Sequence, residues 1–552
     1  MPGTVLNQNQ EPGTQYLLFS IFSNNLKVCS QLTYNQYTIL DLLQERIIFL
    51  HLTQFLLLFF GKNQIIDIIV KWKKWIFSNY LAKYPLNLKL KFLLMRKLLT
   101  FFAGTLITGS VLAGGLVTNT NQSAMFTRLQ NRNASTGIDA VYYNPAGLTR
   151  LGDGFYVSIN NQTIGQTQTI GNNYTFLSGT KPRKYVGKVS APIYPGVYVA
   201  YKTGKLAFSA GFNPIGGGGG AKYNTGLPSL ETQIADLQPL LTGMGLTTTQ
   251  YTADIFFKGS SVYFGYQANV SYQINDMISA AIGARMVSAK NTYTGYIRNI
   301  MINPLYAGNP TASLISAPAF FTSIGQPGYA ARTSDREADA EMKGTGYTPI
   351  LSVNIAPSEM LNIAVRYEFK TKLNLKTTVH DGKSAGMFIQ DSVAIADMPA
   401  TLAVGVNFKP VDNLMLSGSF NYYFDKGVDY DGQPDVEQTQ IDKNFIEFGL
   451  GAEYGITEKL RISAGWVHTI TGVNLYYQSD MSYSTNTNSF GGGFGYRITP
   501  MIDLNLGGQY TFYKEGSKDY NHVLGINPIP VTETYNKKTW IVAIGLDFSF
   551  GK

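Results

Sequence analysis

"WIVAIGLDFSF" (Trp540 to Phe550) puts Trp540, Val542, Ile544, Leu546, Phe548 and Phe550 on one face of an extended strand. Ile541, Ala543, Gly545, Asp547 and Ser549 share the other face. Eleven residues rising roughly 3.3 Å each, at a tilt near 45°, cross the roughly 25 Å apolar band of an outer membrane. The same alternation recurs upstream. Leu361, Ile363, Val365, Tyr367 and Phe369 alternate with Asn362, Ala364, Arg366, Glu368 and Lys370. Val262, Phe264, Tyr266, Ala268 and Val270 alternate with Tyr263, Gly265, Gln267, Asn269 and Ser271. A cation facing lipid at mid-membrane costs roughly 2 to 4 kcal/mol, so Arg366 and Lys370 are expected to face a polar lumen.

Six short segments join such runs: "YKTGKLAFS" from Tyr201, "YQINDMISA" from Tyr272, "NIAPSEMLNI" from Asn354, "FKPVDNLML" from Phe408, "YGITEKLRI" from Tyr454 and "YRITPMIDL" from Tyr496. Each reads as a tight hairpin turn. The intervening connections are long, about 166–192, 214–256, 299–343, 381–397, 427–443, 471–486 and 517–537. Short turns at one end and long loops at the other describe a transmembrane barrel; a soluble β-sandwich carries comparable loops at both ends and polar outer faces. Six turns join twelve strands, and the runs at Phe155 and Trp540 make fourteen, an all-β antiparallel barrel.

Composition agrees. Charged residues are 14%, aromatics 13%, and the chain holds 56 Gly and 36 Tyr, which suits half-buried strands better than a soluble α/β enzyme. The net charge of +9 is mild for 552 residues. No Lys/Arg cluster interleaved with aromatics occurs beyond the first hundred residues, so no nucleic-acid partner is expected. The single cysteine, Cys29, offers neither a disulfide nor a Cys-ligated metal site, and no cofactor or metal is expected. Of the later histidines, His380, His468 and His522, only His380 has an acid neighbour, Asp381, and no catalytic constellation follows. Met95 opens a secretory pattern: Arg96 and Lys97, an apolar run from Leu98 to Leu112, and a small-residue step at Ala113. Residues 95–113 are therefore expected to be a signal peptide and 1–94 an upstream extension absent from the mature protein, with a membrane anchor at Ile47 to Phe60 as the alternative.

Between that signal and the first strand stands "STGIDAVYYNPAGLTRLGDG" (Ser135 to Gly154), which does not alternate and turns at Asn144-Pro145-Ala146. A barrel of about eight strands is already filled by its own side chains, so one of fourteen is either open or plugged. Residues 114–152 are the expected plug, and 153–552 the barrel. At these residues the chain resembles the long-chain fatty-acid transporter family (FadL/TodX type). The resemblance implies a fourteen-stranded outer-membrane barrel of a Gram-negative bacterium whose N-terminal hatch fills the lumen. It further implies passive uptake of hydrophobic molecules, with capture by external loops, binding in the lumen and lateral release through a kinked third strand. Asn144, Pro145 and Ala146 carry the hatch motif over.

Other residues fill out that scheme. The third loop, Ile300 to Gly328, holds Leu305, Tyr306, Phe320 and Phe321, expected either to capture ligand or to pack on one another. Leu230, Ile234, Leu237 and Leu241 have helical spacing in the second loop, although Pro239 counts against a helix there. Asn213, Pro214 and Gly216 begin a Gly-rich break that is either a lateral gate or a flexible loop start. Arg285, Arg366 and Lys370 are expected to hold a fatty carboxylate, or else to pair with Glu368, Glu447, Glu453 or the hatch. The expected partners are hydrophobic small molecules, fatty acids or aromatic hydrocarbons, and outer-membrane lipid, with the protein a monomer. A surface adhesin or receptor barrel and an open porin are the competing readings.

Overall fold

The structure, a computed structural model, describes residues 122–428, 440–524 and 527–551. The expected extension, the signal segment and residues 114–121 of the plug lie outside the described residues.

Fourteen antiparallel strands form the wall: β1 (Gly154–Asn172), β2 (Arg183–Thr203), β3 (Leu206–Tyr223), β4 (Tyr251–Gln273), β5 (Ile278–Ile302), β6 (Arg336–Ser358), β7 (Leu361–Glu368 and Asn374–Ser384), β8 (Val393–Ile395 and Thr401–Val411), β9 (Leu414–Tyr423), β10 (Phe445–Gly455), β11 (Leu460–Ile470), β12 (Thr487–Thr499), β13 (Ile502–Tyr513 and Gly516–Leu524) and β14 (Asn527–Gly551). Each pairs with its chain neighbours, and β1 pairs with β14 from Gly154↔Gly551 to Asn172↔Glu533, which closes the cylinder. Closure leaves no free sheet edge to lipid. The expected count and all six short turns are present.

The long connections are shorter than the sequence suggested. β1 and β2 continue pairing to Asn172↔Arg183, so 166–192 reduces to 173–182. Most of 517–537 is likewise paired, from Gly516↔Tyr535 to Leu524↔Asn527. An apolar outer column ends where lipid ends, but hydrogen-bonded pairing continues into water with polar residues outside and Tyr185 or Tyr535 buried inside. The wall is consequently uneven. β1 to β6 and β14 run 18 to 25 residues, whereas the longest continuous runs in β8 to β12 are 10 to 13.

Above the tall side the loops fold on themselves. Helices α3 (Pro228–Ala235) and α4 (Leu237–Gly243) bury Leu230, Ile234, Leu237 and Leu241 as the spacing predicted. Pro239 is the third residue of α4, in the first turn, where its missing N–H costs no helical bond. They pack with α5 (Ala317–Ser323), Ile300 and Ile302 into one apolar cap.

Candidate functional site: the plugged lumen and the break beside it

The plug begins where Ser123 caps helix α1 (Ala124–Arg128), its Oγ accepting from the Phe126 N–H at 3.1 Å. Helix α2 (Ala140–Tyr143) follows, then a 3-10 turn, Pro145–Arg150, that delivers the chain to β1. The whole segment lies inside the cylinder. Arg128 is fully buried; its Nε donates to Asn505 at 2.9 Å and its Nη1 to Ser463 at 2.7 Å and to Glu453. Around it the inner face of the wall is glycine. A Cβ on Gly507 would stand 2.6 Å from the Arg128 backbone nitrogen, and one on Gly405 2.4 Å from that of Ala134. Backbone meets backbone there, which only glycine permits.

The Asn144-Pro145-Ala146 step meets the opposite side of the wall through side chains. The buried Asn144 amide donates to the Ser135 carbonyl at 2.9 Å and to Asn354 at 2.7 Å, and its oxygen accepts from Ser352 at 3.1 Å. Ser271 donates to the Pro145 carbonyl at 2.7 Å, and Thr149 to Ser279 at 2.6 Å. Asn144 therefore ties α2, the following turn and β6 together.

Arg285 and Arg366 face the lumen, as alternation required, and converge on one carboxylate. Arg285 grips Glu368 with two bonds of 2.7 and 2.9 Å and Gln267 with two more; Arg366 Nε stands 3.3 Å from Glu368 and its Nη1 donates to the Tyr142 carbonyl. Both guanidiniums lie against the Tyr142 ring, at 4.7 and 5.0 Å from its centre. These cations are thus engaged by the wall and the plug. They line a narrow pocket with Ile215, Thr348, Met398 and Tyr423. Lys370 stands apart from it, half exposed, 3.1 Å from Asp397.

The third strand does not stop at Asn213. β3 runs on to Tyr223, but pairing with β2 lapses between Val197↔Phe212 and Val189↔Ala221, and pairing with β4 slips at Pro214/Gly216 and again at Gly216/Gly219. The flexible-loop alternative is replaced by an irregular strand and a gap in the ladder. Pro214 lacks a donor, and Gly217, at φ +92°, takes a conformation L side chains rarely adopt. Asn213 points inward and donates to Gln122 at 2.7 Å, so the plug touches the break. Ile215, Tyr263, Val287, Met342, Leu373 and Leu375 make the lumen apolar beside it.

Of the loop residues, Leu305 is exposed, but Phe320 and Phe321 are 3% and 1% exposed and lie inside the cap, with Tyr306 against Phe320 at 5.5 Å. Of the two expectations the structure shows packing: Phe320 and Phe321 meet at 5.3 Å, and Phe321 stacks on Tyr329 at 5.1 Å. Sequence reasoning missed two clasps of that cap. Glu231 accepts from Tyr185 and Tyr251 at 2.8 and 2.7 Å, and Asp236 binds both Tyr174 and His522 at 2.7 and 2.9 Å. It missed the glycine floor as well, although glycine on alternate positions, Gly449 and Gly451 or Gly491 and Gly493, is the visible signal.

No family model and no curated protein matches the chain. Solved structures do. A FadL homologue from Pseudomonas aeruginosa matches with TM-score 0.54 and 14% identity over 79% of this chain and all of that one. The Pseudomonas putida toluene transporter TodX matches with TM-score 0.46 and 14% identity over 80% and 100%, and the Ralstonia pickettii toluene transporter TbuX with 0.43 and 16% over 80% and 99%. The first establishes a shared fold, a closed barrel of the FadL type.

Proposed function

We propose that the protein is a passive uptake channel in the outer membrane of a Gram-negative bacterium, carrying long-chain fatty acids or similarly hydrophobic compounds. One observation carries the reading: a plugged barrel whose wall lapses, at Ser190 to Gly196 of β2 and Asn213 to Gly220 of β3, beside an apolar stretch of lumen. A plug denies ions an open pipe, and a gap facing lipid gives a greasy molecule an exit that avoids water. In this reading cargo enters at the loop cap near Leu305 and Tyr306, displacing Phe320 and Phe321 from their packing. It then moves past Tyr263 and Met342 while the Asn144 turn shifts, and leaves at Asn213, Pro214 and Gly216. A carboxylate cargo would compete with Glu368 for Arg285 and Arg366; Lys370, at the lip, would meet it earlier. The transporters named among the structural neighbours support a non-enzymatic role.

Growth of a deletion strain on oleate, and separately on toluene, tests this. The gene is expected to restore growth on one of them, and equal growth without it overturns the reading. Deleting Gly217 restores one-to-one pairing between Gly216↔Tyr263 and Gly219↔Ser261 and is expected to slow uptake several-fold while the barrel still folds.

A further inference from the structure

Four lysines stand side by side on the outside of the tall wall. Thr167 of β1 pairs with Lys538 of β14 on one side and Lys188 of β2 on the other; Lys188 pairs with Lys222 of β3, and Lys222 with Lys258 of β4. All four are exposed, while Val189, Tyr223, Phe257 and Thr539 beside them are buried on the inner face. Among the described residues no carboxylate pairs with any of them; Lys222 lies over the Phe256 ring at 5.7 Å. Like charges directly opposite on neighbouring strands destabilise a ladder, so the row calls for a counter-charge from outside the chain.

Its height identifies the source. Lys538 is 13 residues from the periplasmic end of β14 at Gly551, Lys188 and Lys258 are 15 from Thr203 and Gln273, and Lys222 is 16 from Leu206. At roughly 3.3 Å per residue and 45° of tilt these positions stand about 30 to 37 Å up, just beyond the roughly 25 Å apolar band. The columns beneath the two ends of the row are apolar: Trp540, Val542 and Ile544 below Lys538, and Val262, Phe264 and Tyr266, past Ser260, below Lys258. The ammonium groups thus sit at the outer headgroup level. Farther round, Lys290 and Lys343 are bridged by Glu341, and on the short wall outward aromatics such as Phe490 and Phe512 end the apolar columns. Adjoining lysines without a carboxylate partner run here across β14, β2, β3 and β4.

We propose that Lys538, Lys188, Lys222 and Lys258 form a binding site for the phosphate groups of an anionic glycolipid of the outer leaflet, of the diphosphorylated lipid A type. Lysine engages phosphate as a point charge, and each lysine near an anionic surface contributes appreciably to attraction. Lys188 and Lys222 also close the top of the lapse between β2 and β3, so the bound headgroup stands over that opening. The site rests on the barrel being membrane-embedded, and not on uptake.

The test uses the purified full-length barrel in zwitterionic micelles, titrated with diphosphoryl lipid A and followed by native mass spectrometry. The fourfold variant K188Q/K222Q/K258Q/K538Q is expected to bind about tenfold or more weakly, the corresponding arginine variant to retain binding, and Lys290→Gln to change little. Heat-modified gel migration verifies that each variant is folded. Wild-type binding is expected to weaken with salt. Equal affinity of the fourfold variant overturns the proposal, as does displacement of the lipid by inorganic phosphate at matched phosphate concentration, which would mark a free-anion site. Growth on oleate is scored separately, so a barrel that carries nothing yet binds lipid A leaves this inference standing and removes the other.

Discussion

The inner faces of the short wall and the tall wall hold the same plug by different means. Against β8 to β13 the plug backbone from Ala124 to Ala134 lies on glycine, with Gly405, Gly491 and Gly507 leaving no room for a side chain. Against β4 to β6 it is held at a distance by Ser271, Ser279, Ser352 and Asn354, each spending a side-chain hydrogen bond on the Asn144 turn or its neighbours. Close backbone packing, with Arg128 and Asn133 also hydrogen-bonded into this wall, is rigid and unforgiving. A hydrogen-bonded seam, made of bonds worth about 0.5 to 1.5 kcal/mol each in net terms, can be unmade one bond at a time. The Asn144 end is therefore the part of the plug expected to move.

The junction between the two walls should respond most strongly. Glu368→Gln leaves Arg285 and Arg366 buried against Tyr142 without their carboxylate, and breaking such a cluster costs about 3 to 5 kcal/mol. Thermal unfolding in detergent should show the loss, and removing the charges together, as in Arg285→Met with Arg366→Met and Glu368→Met, should recover part of it. A next, smaller effect distinguishes the walls directly. Gly507→Val drives a side chain into the Arg128 backbone and is expected to cost about 1 to 3 kcal/mol, displacing the plug and giving a steady current in single-channel recording. Ser352→Ala on the tall side should leave the channel closed to ions. A closed Gly507→Val channel would dissolve the distinction between the walls.

The smallest effect lies in the loops. Asp480, in the connection 471–486, accepts from the Ser229 N–H at 2.7 Å at the start of α3, and burial holds its carboxyl above the ordinary aspartate range. A carboxyl whose pKa is raised by folding favours the folded loop while protonated, and that contribution is lost as pH rises through the raised value. Hydrogen exchange in 471–486 and in α3 should therefore be slower, after correction for intrinsic rates, at mildly acidic pH than at neutral pH. Asp480→Asn should flatten that difference, which remains if another group is responsible.

Much of this was legible beforehand. Alternation and six short turns suffice for the strand count, because lipid imposes the same apolar column on every strand and a tight turn has few sequences. The hatch was visible as the one compact segment that failed to alternate. Strand lengths were not, since pairing above the membrane no longer needs an apolar outer face. The fate of Arg285 was only narrowed: pairing with Glu368, Glu447 or Glu453 was one expectation, but alternation does not say which, and closure brings Glu368, 83 residues away, to 2.7 Å. Whether Phe320 and Phe321 face outward or pack on their own loop is left open by the sequence, because a loop sequence does not reveal what folds over it.

The sequence by itself determined the alternating faces, the turns and hence a membrane cylinder with a segment left over to stopper it, since these depend only on neighbours along the chain and on the solvent each face meets. The tertiary structure alone decided which wall the plug lies flat against, which carboxylate holds the lumen arginines, where the ladder lapses, and that four lysines scattered between positions 188 and 538 share one row. Those features depend on register between strands distant in sequence, and register is set only when the cylinder closes.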